Sequence, residues 1–262
     1  MAKLVALGDS LTQGFQSLAI TRTDLAYPSM IAEAMGLAAS EFAYPDFAGC
    51  GGLPCSIEWL ARRLEATHGA RITGLEWLAA ARTLATYIDE VEAYWERGPG
   101  THPTPDVLFH NLAVWGFEVA DSYRVTPALC AAALRGTKDN WFKPPSEPRL
   151  RTALRVLDPA RNPARATDTQ LSIAKKIRDR DGGIEHLIAW YGANNCLRTV
   201  VQLELNETGD APPGVGSAFT LWSPRAFEAE YVKLAGELAA LGATHTYVAT
   251  VPHVTIPPVT RG

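Results

Sequence analysis

The chain of 262 residues is 47% hydrophobic and 20% charged, which is an ordinary composition for a globular protein. Its formal net charge of −4 gives no electrostatic reason to expect a nucleic-acid partner. No apolar run approaches the roughly 18 residues that a membrane span requires, so no integral membrane segment is expected. The N-terminal apolar run is too short for a signal peptide, and we therefore predict a cytoplasmic protein.

The cysteine pattern argues against metal or disulfide chemistry. Cys50, Cys55, Cys130 and Cys196 form no Cys-x-x-Cys pair and have no neighbouring histidine at metal-ligand spacing. Four cysteines in so long a chain are also not typical of a disulfide framework. We therefore expect buried free thiols in a reducing compartment and no metal site.

Taken in chain order, short apolar runs bounded by turn residues predict four strands, over 3–7, 106–113, 186–191 and 244–250. Because these runs are largely apolar rather than alternating, they are typical of a parallel sheet buried on both faces. Helical spacing and capping residues predict helices over 26–36, 56–64, 75–95, 168–180 and 223–241. This order predicts an α/β fold with a doubly wound, mostly parallel sheet in a single domain over 1–262.

Two segments are longer than a compact sheet domain needs. Residues 37–105 form a helical insert whose aromatic side chains either cap the site or pack in a core of the insert; they are Trp59, Trp77, Tyr87, Tyr94 and Trp95. Residues 135–180 form a basic insert that holds half of all lysine and arginine residues. This insert is interpreted either as a solvated loop followed by an amphipathic helix, or as a surface that attracts anionic substrates or lipid headgroups.

The carboxyl ends of the predicted strands are where a doubly wound sheet binds its ligands. Ser10, Gly116, Asn194 and His253 follow these ends. A serine at a strand-to-helix turn is, taken alone, equally typical of a helix N-cap. A nucleophilic serine would also need a base and at least two oxyanion donors. The Asn194 amide and the Gly116 N–H could act as the two donors. A second glycine pair at 51–52 follows no predicted strand, so we favour Gly116.

Three blocks at these strand ends carry a resemblance to a known family. They read Gly8-Asp9-Ser10-Leu11, Asn111-Leu112-Ala113-Val114-Trp115-Gly116 and Gly192-Ala193-Asn194-Asn195. The stretch Tyr27-Pro28-Ser29-Met30-Ile31-Ala32 is similar to the helix that often follows the first block. On these motifs the chain resembles the GDSL, or SGNH, hydrolase superfamily. It departs from the third block, Gly-x-Asn-Asp, at Asn195.

The resemblance implies a flavodoxin-like sheet and a serine hydrolase that cleaves small-molecule carboxylic esters. Ser10 would be the nucleophile, and its own N–H, the Gly116 N–H and the Asn194 side chain would be the oxyanion donors. No cofactor is implied. The resemblance does not specify the ester or the oligomeric state.

The base is where the sequence departs most from the family, whose Asp-x-x-His pair lies near the C-terminus. No such pair follows Gly192, and the last aspartate is Asp210. Three interpretations stay open. The favoured one is that the chain is C-terminally incomplete; the others are that His253 acts as the base, or that the protein binds ligand without catalysis. His110 lies within a predicted strand and is expected to be a core residue.

Overall fold

The computed structural model describes residues 1–47, 49–136 and 143–253. Its strands are β1 (Ala2–Gly8), β2 (Phe15–Gln16), β3 (Ala19–Ile20), β4 (Leu53–Pro54), β5 (Ile184–Trp190) and β6 (His245–Val248). Its helices are α1 (Ser10–Gln13), α2 (Tyr27–Ala34), α3 (Ile57–His68), α4 (Glu76–Glu96), α5 (Asp121–Arg124), α6 (Pro127–Leu134), α7 (Pro148–Leu157), α8 (Gln170–Asp181), α9 (Asn194–Gln202) and α10 (Pro224–Ala240). The predicted mixed α/β character is confirmed.

The main sheet is parallel and has the strand order β1-β5-β6. Gly8 pairs with Trp190, so β1 and β5 end together at one edge of the sheet. β6 pairs with β5 as far as Val248. The short strands β2, β3 and β4 form a separate antiparallel sheet. Three of the four predicted strands are therefore present in one parallel sheet.

The prediction of a strand over 106–113 is wrong for most of this segment. The structure has one isolated parallel bridge there, between Asn111 and Ala6, with backbone hydrogen bonds from Ala6 N–H to His110 O and from Leu112 N–H to Ala6 O. Ladder pairing is limited because the His110 and Asn111 N–H groups donate to Ala43 O instead. The segment nevertheless runs beside β1, and Val114 N–H donates to Gly8 O at 3.0 Å.

Successive residues of β1 contact different cores, because side chains alternate between the two faces of a strand. Val5 and Leu7 are fully buried in the main core, which also holds apolar side chains of α8 and α10. Leu4 packs in a smaller cluster with Ala32 of α2 and Ile188 of β5. Helices thus cover both faces of the sheet.

The five predicted helices are present, with one cap different from the expected residue. Thr169, rather than Asp168, caps α8 through a reciprocal capping box with Ser172. The Asp168 carboxylate instead accepts from Lys176 Nζ at 2.6 and 2.7 Å. The Asp168 carboxylate is therefore paired with Lys176 of the helix, and Thr169 acts as the N-cap in its place.

The two inserts are more deeply packed than the sequence suggested. Tyr87 and Trp95 of α4 are buried in the main core, whereas the Trp77 side chain is 63% exposed. In the basic insert, residues 137–142 lie outside the described residues. The solvated-loop interpretation is wrong for α7, whose apolar face, with Leu154 and Leu157, is buried in the core.

The described residues include no helix that is long and apolar enough to cross a membrane. All four cysteines are free thiols, but of these only Cys130 is buried, whereas the other three are partly exposed. The single-domain organisation, the C-terminal incompleteness and the cytoplasmic location stay predictions.

Candidate functional site

The turn after β1 presents Ser10 as the first residue of α1. Asp9 is the N-cap, and its Oδ1 accepts from the Leu11 N–H at 3.1 Å, so the capping role that could have explained the serine belongs to its neighbour. Gly8 is required because a Cβ there would lie 2.4 Å from Thr12 Oγ1 and 2.7 Å from Trp190 O. Ser10 itself is partly exposed. The tight turn thus leaves Ser10 partly accessible to solvent.

The second block is bonded directly to α1. The Trp115 N–H donates to Gln13 Oε1 at 2.6 Å, and Asn111 Nδ2 donates to Thr12 O at 3.1 Å. These two bonds hold Gly116 next to the helix that begins with Ser10. Gly116 has a φ of 74°, a left-handed conformation that favours glycine. Its N–H has no hydrogen-bond partner among the described residues.

The third block reaches the same place from β5. Asn194 begins α9, and its Nδ2 donates to Asp9 Oδ2 at 3.3 Å and to Phe117 O at 2.9 Å. Asn195 Oδ1 accepts from the Val119 N–H at 3.2 Å. Both Asn194 amide hydrogens are therefore engaged, and donation to an oxyanion would replace the longer bond, the one to Asp9. The structure thus brings the three blocks together around Asp9.

A residue that the sequence did not indicate ties these strand ends together. Gln170 of α8 is fully buried, and its Nε2 donates to Gly8 O at 3.1 Å and to Leu112 O at 2.7 Å. Its Oε1 accepts from the Tyr191 hydroxyl at 2.7 Å. All three partners are far from Gln170 in the chain, so no local pattern could have identified it.

Asp9, beside the predicted nucleophile Ser10, has an unusual electrostatic environment. Its side chain is fully buried, and this burial raises its pKa to about 7, although the Leu11 N–H works in the opposite direction. Near neutral pH both protonation states are therefore populated. The charged form accepts a hydrogen bond from the Asn194 amide, so the protonation of Asp9 affects the residue expected to contact an oxyanion.

The structure does not bring a base to Ser10. In the part of the chain that it describes, no side chain is hydrogen-bonded to Ser10 Oγ. His253 follows β6 at the carboxyl edge, is exposed and makes no hydrogen bond to another described residue, so its role as a base stays a prediction. His110 is confirmed as a core residue: it is buried, and its Nδ1 accepts from the Ala43 N–H at 2.9 Å. Burial lowers its pKa.

The alternative glycine pair has a packing role. The Trp95 indole Nε1 donates to Gly52 O at 2.7 Å, and the Tyr87 hydroxyl donates to Gly51 O at 3.5 Å and to Ser56 O at 3.0 Å. These bonds join the loop to α4. The preference for Gly116 is consistent with this arrangement.

A cavity of about 420 Å³ adjoins the second and third blocks. Its lining includes Gly116, Asn194, Glu118, Glu147, Arg149 and Arg198. Glu118 is 7% exposed, and burial, followed by the neighbouring Asp121 carboxylate, raises its pKa to about 7. Neither arginine was singled out from the sequence, because no motif marks them.

No described group of three or more histidine, cysteine, aspartate and glutamate residues is placed to hold a metal ion. No protein-family model matches the chain, and no curated protein or solved structure matches it. The case for a function therefore depends on the geometry of the three blocks.

Proposed function

We propose that the protein is a serine hydrolase that cleaves small-molecule carboxylic esters and that its sheet is flavodoxin-like and doubly wound. The observation that carries the proposal is the convergence of the three blocks. Asn194 donates to Asp9, beside Ser10, and Trp115, beside Gly116, donates to the helix that Ser10 begins. Ordinary loop packing does not require a serine, a free glycine N–H and a buried asparagine amide to meet at one strand edge.

The chemistry assigned to these groups is acyl transfer through a covalent intermediate. Ser10 Oγ attacks the ester carbonyl carbon, a tetrahedral oxyanion forms, and the alcohol leaves to give an acyl-enzyme that water then hydrolyses. The Ser10 and Gly116 N–H groups have no partner among the described residues, so both are free to donate to the oxyanion. Asn194 is the third donor. Each such donor typically contributes about 100-fold or more in rate.

A base has to accept the Ser10 proton during the attack. We assign this role to His253, because it is the described histidine that follows the carboxyl end of a strand of the main sheet. The base would then return the proton to the leaving alcohol. No metal or organic cofactor takes part in the proposed steps.

The proposal is tested by labelling the protein with a fluorophosphonate probe and by measuring hydrolysis of 4-nitrophenyl acetate and butyrate. We expect labelling and turnover that are lost in Ser10→Ala and retained in Ser40→Ala, whose serine is exposed and distant in sequence from the three blocks. Loss of turnover in His253→Ala would support the assigned base. Unchanged turnover in this variant would exclude His253 and leave the role of Ser10 intact.

A second function, ligand binding without catalysis, is favoured by one specific observation. The Asn194 amide is fully engaged, and Ser10 has no base within hydrogen-bond distance among the described residues. Absence of both Ser10-dependent labelling and ester turnover would refute the hydrolase proposal and support this alternative.

A further inference from the structure

The cavity beside Gly116 and Asn194 contains two guanidinium groups that the proposed acyl transfer does not use. We infer that it is a subsite for a carboxylate carried by the ester substrate, held by Arg149 and Arg198. This inference rests on the proposed function, because it adds a substrate class to the same site.

Arg149 crosses the cavity in a fixed position. Its Cδ lies 3.1 Å from where a Cβ of Gly116 would be, and its Nη2 lies 3.8 Å from the corresponding point at Gly216. Its Nη1 donates to Asp121 Oδ2 at 2.9 Å, and the same oxygen accepts from the Glu118 N–H at 3.0 Å. The Asp121 carboxylate therefore positions the guanidinium. Arg149 Nε and Nη2 have no hydrogen-bond partner among the described residues and are free to donate.

Arg198 supplies the second cation. It lies one helical turn after Asn194 on α9, so the two side chains project from the same face of the helix. Its Nη1 donates to Ser217 O at 2.9 Å, and no carboxylate of the described chain lies within salt-bridge distance of it. Because Arg198 is bonded only to one carbonyl oxygen of the described chain, its guanidinium keeps its full charge and most of its N–H donors for a ligand in the cavity.

A polar atom in the cavity wall also lacks a partner. Ser217 Oγ is buried and forms no hydrogen bond with any described residue, although the neighbouring carbonyl accepts from Arg198. Buried hydroxyl groups are normally hydrogen-bonded, so this one is an exception, although its lack of exposed surface keeps it from direct contact with a ligand in the cavity.

The carboxylates near the cavity do not cancel both cations. Asp121 neutralises Arg149 through their ion pair. Burial holds the pKa of Glu118 at about 7, so this residue is partly neutral at neutral pH. Glu147 lies at the rim, where it is exposed and its charge is screened by water. The two guanidinium groups are thus only partly neutralised inside the cavity, and the carboxylate of a ligand would complete their pairing.

The subsite adjoins two of the proposed oxyanion donors, because Gly116 and Asn194 line the cavity. A volume of about 420 Å³ is within the range of small-molecule pockets, roughly 300–1,000 Å³, and suits a short acyl chain or alcohol with a terminal carboxylate. Planar guanidinium groups bind such a carboxylate through paired N–H donors.

The first test compares two esters with the same leaving group, mono-4-nitrophenyl glutarate and 4-nitrophenyl butyrate. We expect a higher kcat/KM for the glutarate ester, and a fall in the glutarate-to-butyrate ratio of about 10- to 100-fold in Arg198→Gln, as for loss of a charged hydrogen bond. Arg198→Lys should restore part of the preference. The matched control is Arg225→Gln, because Arg225 is 80% exposed and paired with Asp210 away from the cavity; its ratio should equal the wild-type ratio.

The second test measures binding without chemistry, by titrating glutarate into the Ser10→Ala variant in a calorimeter. We expect binding that weakens at least tenfold when Arg198→Gln is added, with thermal melting used to confirm that both variants are folded. If both esters are inert but glutarate binding depends on Arg198, the hydrolase proposal fails and the anion subsite stands. If the esters are hydrolysed with an unchanged ratio in Arg198→Gln and glutarate does not bind, the subsite is refuted and the hydrolase proposal stands.

Discussion

The two sides of the main sheet differ sharply in how their strand ends are held. Where β1 meets the 111–114 segment and β5, buried side chains bond the ends to one another, as Gln170 does for Gly8 and Leu112. On the other side, all four residues of β6 are exposed. The proposed nucleophile and oxyanion donors are therefore preorganised, whereas the assigned base, His253, follows the least buried strand of the sheet.

The surface around the exposed strand β6 is also apolar. An open groove of about 560 Å³ lies between α2 and the sheet face and is lined mainly by Leu4, Tyr27, Ile31, Met35, Ile188, Trp190, Tyr247 and Val248. Ile31 of α2, Met35 directly after this helix, and Tyr247 and Val248 of β6 are each more than a third exposed. Core packing therefore contributes much less at β6 than at β1.

The largest change in stability is expected from replacing Gln170, which bonds the end of β1 to the neighbouring 111–114 segment. Gln170→Ala removes a fully buried side chain and leaves Gly8 O, Leu112 O and the Tyr191 hydroxyl without that partner. Because unmade buried hydrogen bonds add to the cost of the cavity, we expect a loss of about 3–5 kcal/mol in the free energy of unfolding. Urea denaturation monitored by circular dichroism measures it.

Gln16→Ala is the control for Gln170, because Gln16 is exposed on a short strand and should change stability by less than about 0.5 kcal/mol. Equal losses of unfolding free energy in the two variants would mean that the hydrogen bonds of Gln170 stabilise the fold no more than an exposed side chain does.

A smaller effect, confined to part of the pH range, is expected at Asp9. Its pKa of about 7 in the folded protein lies above the ordinary value of 3.8, so the folded state binds this proton more tightly than the unfolded state does. The resulting stability is fully present below about pH 4 and is lost as the pH rises through 7, by on the order of 4 kcal/mol. Asp9→Asn should flatten this decline in urea unfolding measured from pH 4 to 8.

The decline should persist in part in Asp9→Asn, because the pKa of Glu118 is also raised to about 7 and contributes a slope of the same sign. Asp210→Asn, at a position that is 68% exposed, should leave the wild-type slope unchanged. A slope in Asp9→Asn equal to that of the wild type would show that Asp9 is charged in the folded protein throughout this range.

Local sequence patterns were sufficient for the elements whose signals are local. β1, β5 and β6 are short apolar runs between turn residues, and the helix starts at Ser56 and Ser223 are ordinary side-chain caps. The 106–113 segment misled because its backbone groups bond to Ala43, a partner more than 60 residues away. Its composition could not reveal this competition.

The site shows the same division. The turn at Ser10 and the strand ends at Gly116 and Asn194 could be located from motifs. The bond that joins the first and third blocks spans 185 residues, from Asn194 to Asp9, and the Gln170 bond to Gly8 spans 162. Such contacts depend on how the elements pack, so the sequence could not predict the buried carboxyl group of Asp9 beside the proposed nucleophile.

The smallest change in stability is expected at β6. Two valines on parallel strands of the same sheet allow β6 to be compared directly with β1. Val5 of β1 is fully buried, whereas Val248 of β6 is 51% exposed. Val248→Ala should change the free energy of unfolding by less than about 1 kcal/mol, because about half of its surface stays in water in the folded protein. Val5→Ala, which deletes the same two methyl groups from a packed core, should cost about 2 kcal/mol.

Parallel urea titrations of the two valine variants give the difference directly, and the equal change in side-chain volume serves as the internal control. A cost of about 2 kcal/mol for Val248→Ala would mean that its apolar surface is covered in solution. The groove beside β6 would then be occupied, and His253 would follow a strand as firmly held as the one that leads to Ser10.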